Sequence, residues 1–271
     1  MSVEVGSVGL VEASLLALAG VFIAAISSMA GIGGGVFMVP LFYGIGYPIN
    51  VAIGTSKFVI VFISVSSALS YSRAGKVDKT LGLLLMASMA PGGYLGAIAV
   101  SWANTRVLEI LVGALIIYYS LRLLFRGSRE YLARRKGYNL DQGNAGRRVI
   151  LHRSPKMLAL SAVAGFMVGV VAGLTGTGGG ALLVPFMVSV LGMKIHEAVA
   201  TSMYSMLLAA ITAVIGHYQN NDISMEAGLP LMLGALAGAL IGSRVAVRLS
   251  PWALRLVVGA VLVMIGLRLI V

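Results

Sequence analysis

Two runs of three consecutive glycines, Gly33-Gly34-Gly35 and Gly178-Gly179-Gly180, lie inside long apolar stretches. Glycine costs a helix about 1 kcal/mol per residue relative to alanine, so each run breaks the helix that contains it. Unwound backbone survives in a bilayer only where protein buries it or where it lines a wet cavity. A short apolar segment follows each run. Its first N–H groups would face the break, carry the positive end of a helix dipole and attract anions. Two such ends can converge near the membrane midplane and hold an anionic substrate between them. On this reading the candidate ligands are Gly31, Gly33, Gly34 and Gly35 in one half, and Thr177, Gly178, Gly179 and Gly180 in the other. The alternative is that the glycines only let helices pack closely. Neither run ends in the Gly-Lys-Ser/Thr of a nucleotide phosphate loop.

A second motif also occurs twice, as IGTSK ending at Lys57 and as VATSM ending at Met203. Thr55, Ser56, Thr201 and Ser202 fall near the starts of apolar segments, where a hydroxyl either caps a helix or binds an oxyanion. Lys57 sits about two turns into its segment, at a depth where ionisable groups are costly and usually functional. It either meets the substrate or snorkels to the interface. His217 ends a segment near Asp222 and Glu226. It could take part in proton movement, but an interfacial position is the simpler reading. No Ser-His-Asp or metal-ligand constellation is present, and the chain has no cysteine. Catalysis is therefore not expected, and neither is a cofactor or a bound metal.

The elements that carry these motifs are membrane spans. Of 271 residues, 59% are hydrophobic and 11% charged, against about 25% charged in soluble domains. Mean hydropathy is +0.97. This excludes an ordinary cytoplasmic enzyme, a disordered chain and a nucleic-acid-binding domain. At about 20 residues per span, roughly eight spans fit, with two short pieces besides. They are expected at about Val11–Met29, Val51–Tyr71, Thr80–Val100 and Arg106–Phe125, then Met157–Leu174, Glu197–His217, Glu226–Val247 and Trp252–Val271. The short pieces are about Val36–Ile45 and Ala181–Leu191. Continuous apolar runs favour helices over barrel strands, which alternate every second residue. The N-terminus carries Glu4 and Glu12 and no Lys or Arg. The first apolar stretch is accordingly read as a retained span, because a secretory signal wants a positive start.

The two halves are copies of one unit. AGIGGGVFMVP, ending at Pro40, returns 145 residues later as LTGTGGGALLVP, ending at Pro185. The register then continues at 146: Ala52, Thr55 and Ser56 match Ala198, Thr201 and Ser202, and Gly92 and Gly96 match Gly238 and Gly242. Residues 1–125 form the first repeat, 126–156 a basic linker and 157–271 the second repeat. Gly165, Gly169 and Gly173 recur every fourth residue, as do Gly20, Ala24 and Ser28, and Gly234, Gly238 and Gly242. These are stripes for close helix contact.

Charge orients the halves. Ten of the twenty Lys and Arg fall between Arg122 and Lys156, which assigns the linker to the cytoplasm and brings it within reach of anionic headgroups. The loop holding Arg73, Lys76 and Lys79 corresponds to one holding Asp222 and Glu226 without Lys or Arg. Equivalent loops on opposite sides imply inverted repeats, each with a glycine-interrupted helix plus three full spans. Both termini are then outside. Parallel repeats are the alternative.

The doubled GxGGG…VP motif, each copy followed by A-x-x-T-S, resembles the TauE/SafE family across nearly the whole chain. That resemblance implies a multi-pass permease of the cytoplasmic membrane exporting sulfite or organosulfur anions such as sulfoacetate. It implicates Gly31 to Gly35, Pro40, Thr55, Ser56, Gly176 to Gly180, Pro185, Thr201 and Ser202. The long basic linker is a departure from the family pattern. The expected function is secondary transport of a small sulfur-containing anion. With no ATP-binding motif, an ion gradient or the membrane potential supplies the drive, the latter worth about 2.3 kcal/mol per charge per 100 mV. An anion channel and a membrane enzyme are the alternatives. The expected partners are the anion, the lipid bilayer and a coupling ion such as a proton. Nucleic acid is excluded, and oligomeric state is open.

Overall fold

The computed structural model describes residues 9–100, 105–135 and 154–270. Glu4 and residues 136–153 of the basic linker lie outside them. The described residues form helices joined by short turns and breaks, without a strand. The first half comprises α1 (Leu10–Ala30), α2 (Gly35–Gly44), α3 (Ile49–Arg73), α4 (Lys79–Ala99) and α5 (Thr105–Arg135). The second comprises α6 (Pro155–Thr175), α7 (Gly180–Ser189), α8 (Ile195–Gln219), α9 (Met225–Arg248) and α10 (Pro251–Ile270). Seven of these are long and apolar enough to cross a membrane: α1, α3, α4, α6, α8, α9 and α10. The eighth span expected from sequence falls on α5, which runs on past Phe125 to Arg135 and packs along α10. The chain is an all-α polytopic membrane protein.

Local chemistry sets the helix ends. Ser154 caps α6, its hydroxyl accepting from Met157 N–H at 3.3 Å, with Pro155 in the first helical position, where its missing N–H costs nothing. Asp78 caps α4 by accepting from Leu81 N–H at 3.1 Å. α1 and α6 both stop at a glycine in the left-handed region, Gly31 at φ 74° and Gly176 at φ 73°. The prolines inside the short helices have a separate consequence. Pro40 donates no hydrogen bond to the Val36 carbonyl four residues earlier, and Arg268 Nη1 donates to that oxygen instead, at 3.3 Å.

Packing crosses between the halves. α1 lies along α9, and α6 lies along α4. α3 packs on α8, and α5 on α10. These contacts are reciprocal, each helix of one half meeting the counterpart of its own partner in the other. α3 and α8 are the most enclosed spans and α1 the least. The α1 sequence explains its position. Leu15, Leu18, Phe22 and Ile26 form an exposed stripe at helical spacing, and Leu16, Gly20, Ala24 and Ser28 form the buried one. Lipid is as apolar as leucine, so this helix sorts its faces by size.

The small-residue stripes are backbone contacts. A Cβ on Gly234, Gly238 or Gly242 would sit 1.8, 2.1 or 2.1 Å from the carbonyl oxygens of Ala17, Val21 and Ala25. On the other side of the molecule, Gly92 and Gly96 stand in the same way against Phe166 and Val170. Gly238→Val should therefore lower stability by roughly 1–3 kcal/mol, the usual cost of overpacking. Gly44→Ala, with open space around it, should be tolerated. Thermal melts of the two variants in detergent check this, and equal melting temperatures would remove the close-contact role.

Candidate functional site

The two glycine breaks meet. A Cβ on Gly35 would lie 1.7 Å from the Gly176 carbonyl oxygen, and one on Gly180 would lie 2.0 Å from that of Gly31. Gly178 faces the Ile32 carbonyl in the same way, at 2.7 Å. Backbone therefore packs on backbone where the halves cross, a contact any side chain would block. Gly33, Gly34, Gly178 and Gly179 all take φ between 85° and 93°, a region that favours glycine. Gly34 and Gly179 are the N-cap residues of α2 and α7, and neither helix start has a side-chain cap. The first N–H groups of a helix have no intrahelical acceptor. Two uncapped helix starts are thus enclosed together, since all of Gly31 to Val36 and Val171 to Ala181 are buried.

The hydroxyls of the repeated Thr-Ser motif bind backbone, and they do so across the halves. Ser202 Oγ donates to the Gly31 carbonyl at 2.8 Å. Ser56 Oγ donates to Ile53 at 2.7 Å and reaches the Gly176 carbonyl at 3.5 Å. Each serine thereby holds the carbonyl that ends the opposite half's first helix. Thr55 Oγ1 accepts from Ser224 N–H at 2.9 Å, and Thr201 Oγ1 accepts from Asp78 N–H at 3.0 Å. The start of α3 is fixed in this way to the segment after α8, and the start of α8 to the segment after α3. Thr177 shares a 2.9 Å hydrogen bond with Thr175, whose hydroxyl lies 2.8 Å from the Val171 carbonyl. In this closed arrangement the four Thr-Ser residues tie the two halves together.

Lys57 is 2% exposed, so it does not snorkel. It has no ion-pair or hydrogen-bond partner among the described residues. It lines a cavity of about 10 Å³ with Ile60, Gly93, Gly173, Gly178 and Ala209. That is about the room one water molecule needs. Lysine and glycine break thus share one small space, which is too tight for a multi-atom anion unless the surrounding helices part. Met203, the repeat counterpart of Lys57, is also buried, and Met206 nearby lies against Gly33.

His217 lies in the last turn of α8, at the end of its span as the sequence predicts, and protein encloses it there. It is fully buried, with Nδ1 3.5 Å from Asp222 Oδ2. Asp222 is buried as well, and its other oxygen accepts from Asn50 Nδ2. The burial has a local cause: the chain turns back after α8 and lays Asp222 over Gly54, where a Cβ would meet the Asp222 carbonyl at 2.1 Å. The sequence held one signal of this. At the 146-residue register His217 corresponds to Tyr71, which is buried and donates to the Ser28 carbonyl at 2.9 Å. Asn50 carried no signal, because its role exists only through a contact 172 residues away.

A cleft of about 300 Å³ lies at the far end of α3 from Asp222, lined by Arg73, Arg244 and Arg248 with Leu69 and Leu240. Arg73 ends α3, and Arg248 ends α9. The structure therefore gathers these cations at one end and the Asp222 turn at the other.

Similarity to known proteins adds a family. The model of the family described as "Sulfite exporter TauE/SafE" matches residues 16–269. The probable membrane transporter protein YunE of Bacillus subtilis is 30% identical, over 94% of this chain and 96% of its own length. The probable membrane transporter protein YjnA of the same organism is 24% identical, over 93% and 98%. A probable membrane transporter protein of Methanocaldococcus jannaschii, MJ0441, is 24% identical over 93% of each chain. No solved structure matches. With paired glycine breaks at the centre of a helical membrane bundle and a family match over nearly its whole length, this chain belongs to the TauE/SafE family of membrane transporters.

Proposed function

We propose that this chain is a secondary transporter that exports small sulfur-containing anions, sulfite or a sulfonate, across the cytoplasmic membrane. The anion is held near the midplane between the two glycine breaks. The observation that carries this reading is the meeting of two uncapped helix starts beside a buried lysine that no carboxylate neutralises. Helix starts and an ammonium both stabilise anions. A buried cation without a counter-ion is costly, and a transported anion would supply one. Gly33, Gly34, Gly35, Gly178, Gly179 and Gly180 would offer backbone N–H groups and Lys57 the charge, while Gly31 and Thr177, whose N–H groups bond within the chain, would shape the breaks. Thr55, Ser56, Thr201 and Ser202 would hold the surrounding backbone and reach the anion only as the halves separate. The close packing of the breaks favours a carrier that opens alternately over a channel with a standing pore. Transport by wild-type proteoliposomes, offered sulfite, thiosulfate, sulfonates and carboxylates, is the direct test. Failure to move any of them would end the reading.

The repeats on this proposal are inverted, with both termini outside and the linker 126–156 in the cytoplasm. The reciprocal Thr55–Ser224 and Thr201–Asp78 contacts support antiparallel α3 and α8, and the arginine end of α3 fits a cytoplasmic position.

Two expected outcomes follow from this arrangement. Lys57→Met, which copies the residue of the other repeat, should keep or raise the melting temperature and weaken anion binding roughly ten- to a hundredfold, the worth of a hydrogen bond to a charged group. Unchanged affinity by calorimetry would remove Lys57 from the site. Asn220 and Ala74 are both exposed and have ordinary backbone angles. In this cysteine-free chain, Asn220→Cys should react with an impermeant thiol reagent on intact cells and Ala74→Cys should not. Equal labelling would rule out the inverted orientation.

A further inference from the structure

Three buried titratable groups break an otherwise repeated architecture. Lys57, His217 and Asp222 are all enclosed. Their counterparts by repeat register are Met203, Tyr71 and Lys76. The contrast at His217 is specific. Tyr71 fills the equivalent place with a hydroxyl that donates to the Ser28 carbonyl. His217 lies beside the Gly173 backbone, the equivalent of Ser28 at the 145-residue register. The ring approaches Asp222 at 3.5 Å and the Gly173 backbone, without a hydrogen bond of good geometry to either. One half thus closes this position with a neutral donor, and the other with a ring that can take a proton.

The groups around His217 define its electrostatics. α3 contributes Lys57, close enough to act on the ring by charge. α6 contributes only backbone, at Gly173, which also walls the cavity lined by Lys57 and Gly178. α4 contributes Tyr94, which packs on Gly216 and whose hydroxyl donates to Gln219 Oε1 at 3.2 Å. The turn after α8 contributes Asp222 at 3.5 Å. Glu226, at the start of α9, is exposed. In the empty site a protonated ring would be repelled by the nearby ammonium of Lys57. An anion entering beside Lys57 offsets that repulsion. A proton taken up from water on the His217 ring is then held against Asp222, 3.5 Å away. Lys57 and two helix starts, each worth about half a charge, match an anion of two negative charges.

We propose, resting on the transport reading above, that the Lys57–His217–Asp222 cluster couples the passage of a divalent sulfur anion to the binding of one proton on His217. Asp222 is a positioning residue that holds the protonated ring. The ring gains the proton as the dianion binds and returns it to water as the dianion leaves. The complex carries one net negative charge across, so a cell interior that is negative still drives export.

The test uses wild-type proteoliposomes containing a trapped pH dye, with the potential clamped at zero. Radiolabelled thiosulfate and sulfoacetate are the probes, and both lack a proton near neutral pH. Inward movement of either should acidify the lumen by about one proton per anion, the capacity of a single imidazole. His217→Tyr, which installs the residue of the other repeat, should let the tracer move with the proton ratio lost. Asp222→Asn should lower the ratio as well, and it decides the matter if the tyrosine variant does not fold. Tracer movement without acidification in the wild type, or an unchanged ratio in both variants, would overturn the coupling. If neither dianion moves while sulfite or a monovalent sulfonate does, the dianion and its proton fall and the transport reading stands. If no anion moves, both fall.

Discussion

Everything in this molecule is arranged around a place where two backbones touch without side chains between them. Gly35 against the Gly176 carbonyl and Gly180 against the Gly31 carbonyl leave no room for a single methyl group. That contact requires each helix to stop, reverse through left-handed glycines and restart within a few residues. It fixes where α1 and α6 end and where α2 and α7 begin. The serines of α3 and α8 then bind the exposed carbonyls at Gly176 and Gly31. Glycine stripes on α4 and α9 let the outer helices come close enough to enclose the crossing. Unwound backbone in a bilayer needs protein around it, and here the surrounding protein is the other half of the same chain.

The backbone repeats, but the charges do not. Glycine breaks, hydroxyl contacts and small-residue stripes appear in both halves at matching positions. Lys57 faces a methionine in the repeat, and His217 a tyrosine. Framework positions are held by hydrogen bonds to backbone, which both halves must satisfy in the same way because a buried unpaired polar group costs about 1–3 kcal/mol. On the transport reading one lysine suffices beside two helix starts, and two lysines facing across the crossing would repel each other in a medium of low dielectric. Symmetric scaffold and one-sided electrostatics are therefore compatible demands on one sequence.

The chain is similar over nearly its full length to proteins described as probable membrane transporters. Transport by this fold would require a break that can open and a scaffold that stays joined while it does. The cross-half serine contacts sit near the starts of α3 and α8, beside the break. The glycine stripes farther out pack backbone against backbone, with no room for a side chain.

Much of this was legible in the sequence, for a physical reason. Hydropathy reads spans because a bilayer demands about 20 apolar residues per crossing. Glycine triplets read as breaks because no side chain offsets their helix penalty. The repeat register found the paired motifs, and α2 and α7 lie within one or two residues of the short segments expected. The register did not reveal how the motifs are used. Thr55 and Thr201 could have capped their own helices, and the structure gives them instead to backbone N–H groups of the opposite half. Lys57 could have reached the interface, and His217 could have met water there. Both are enclosed because α3 and α8 are the central helices and the chain folds Asp222 back over Gly54. Sequence fixes which residues must leave water and where the backbone must bend, since those are local properties. Which buried group meets which is decided largely by contacts between distant residues, as Thr55 with Ser224 and Ser202 with Gly31, and only the packed bundle brings those together.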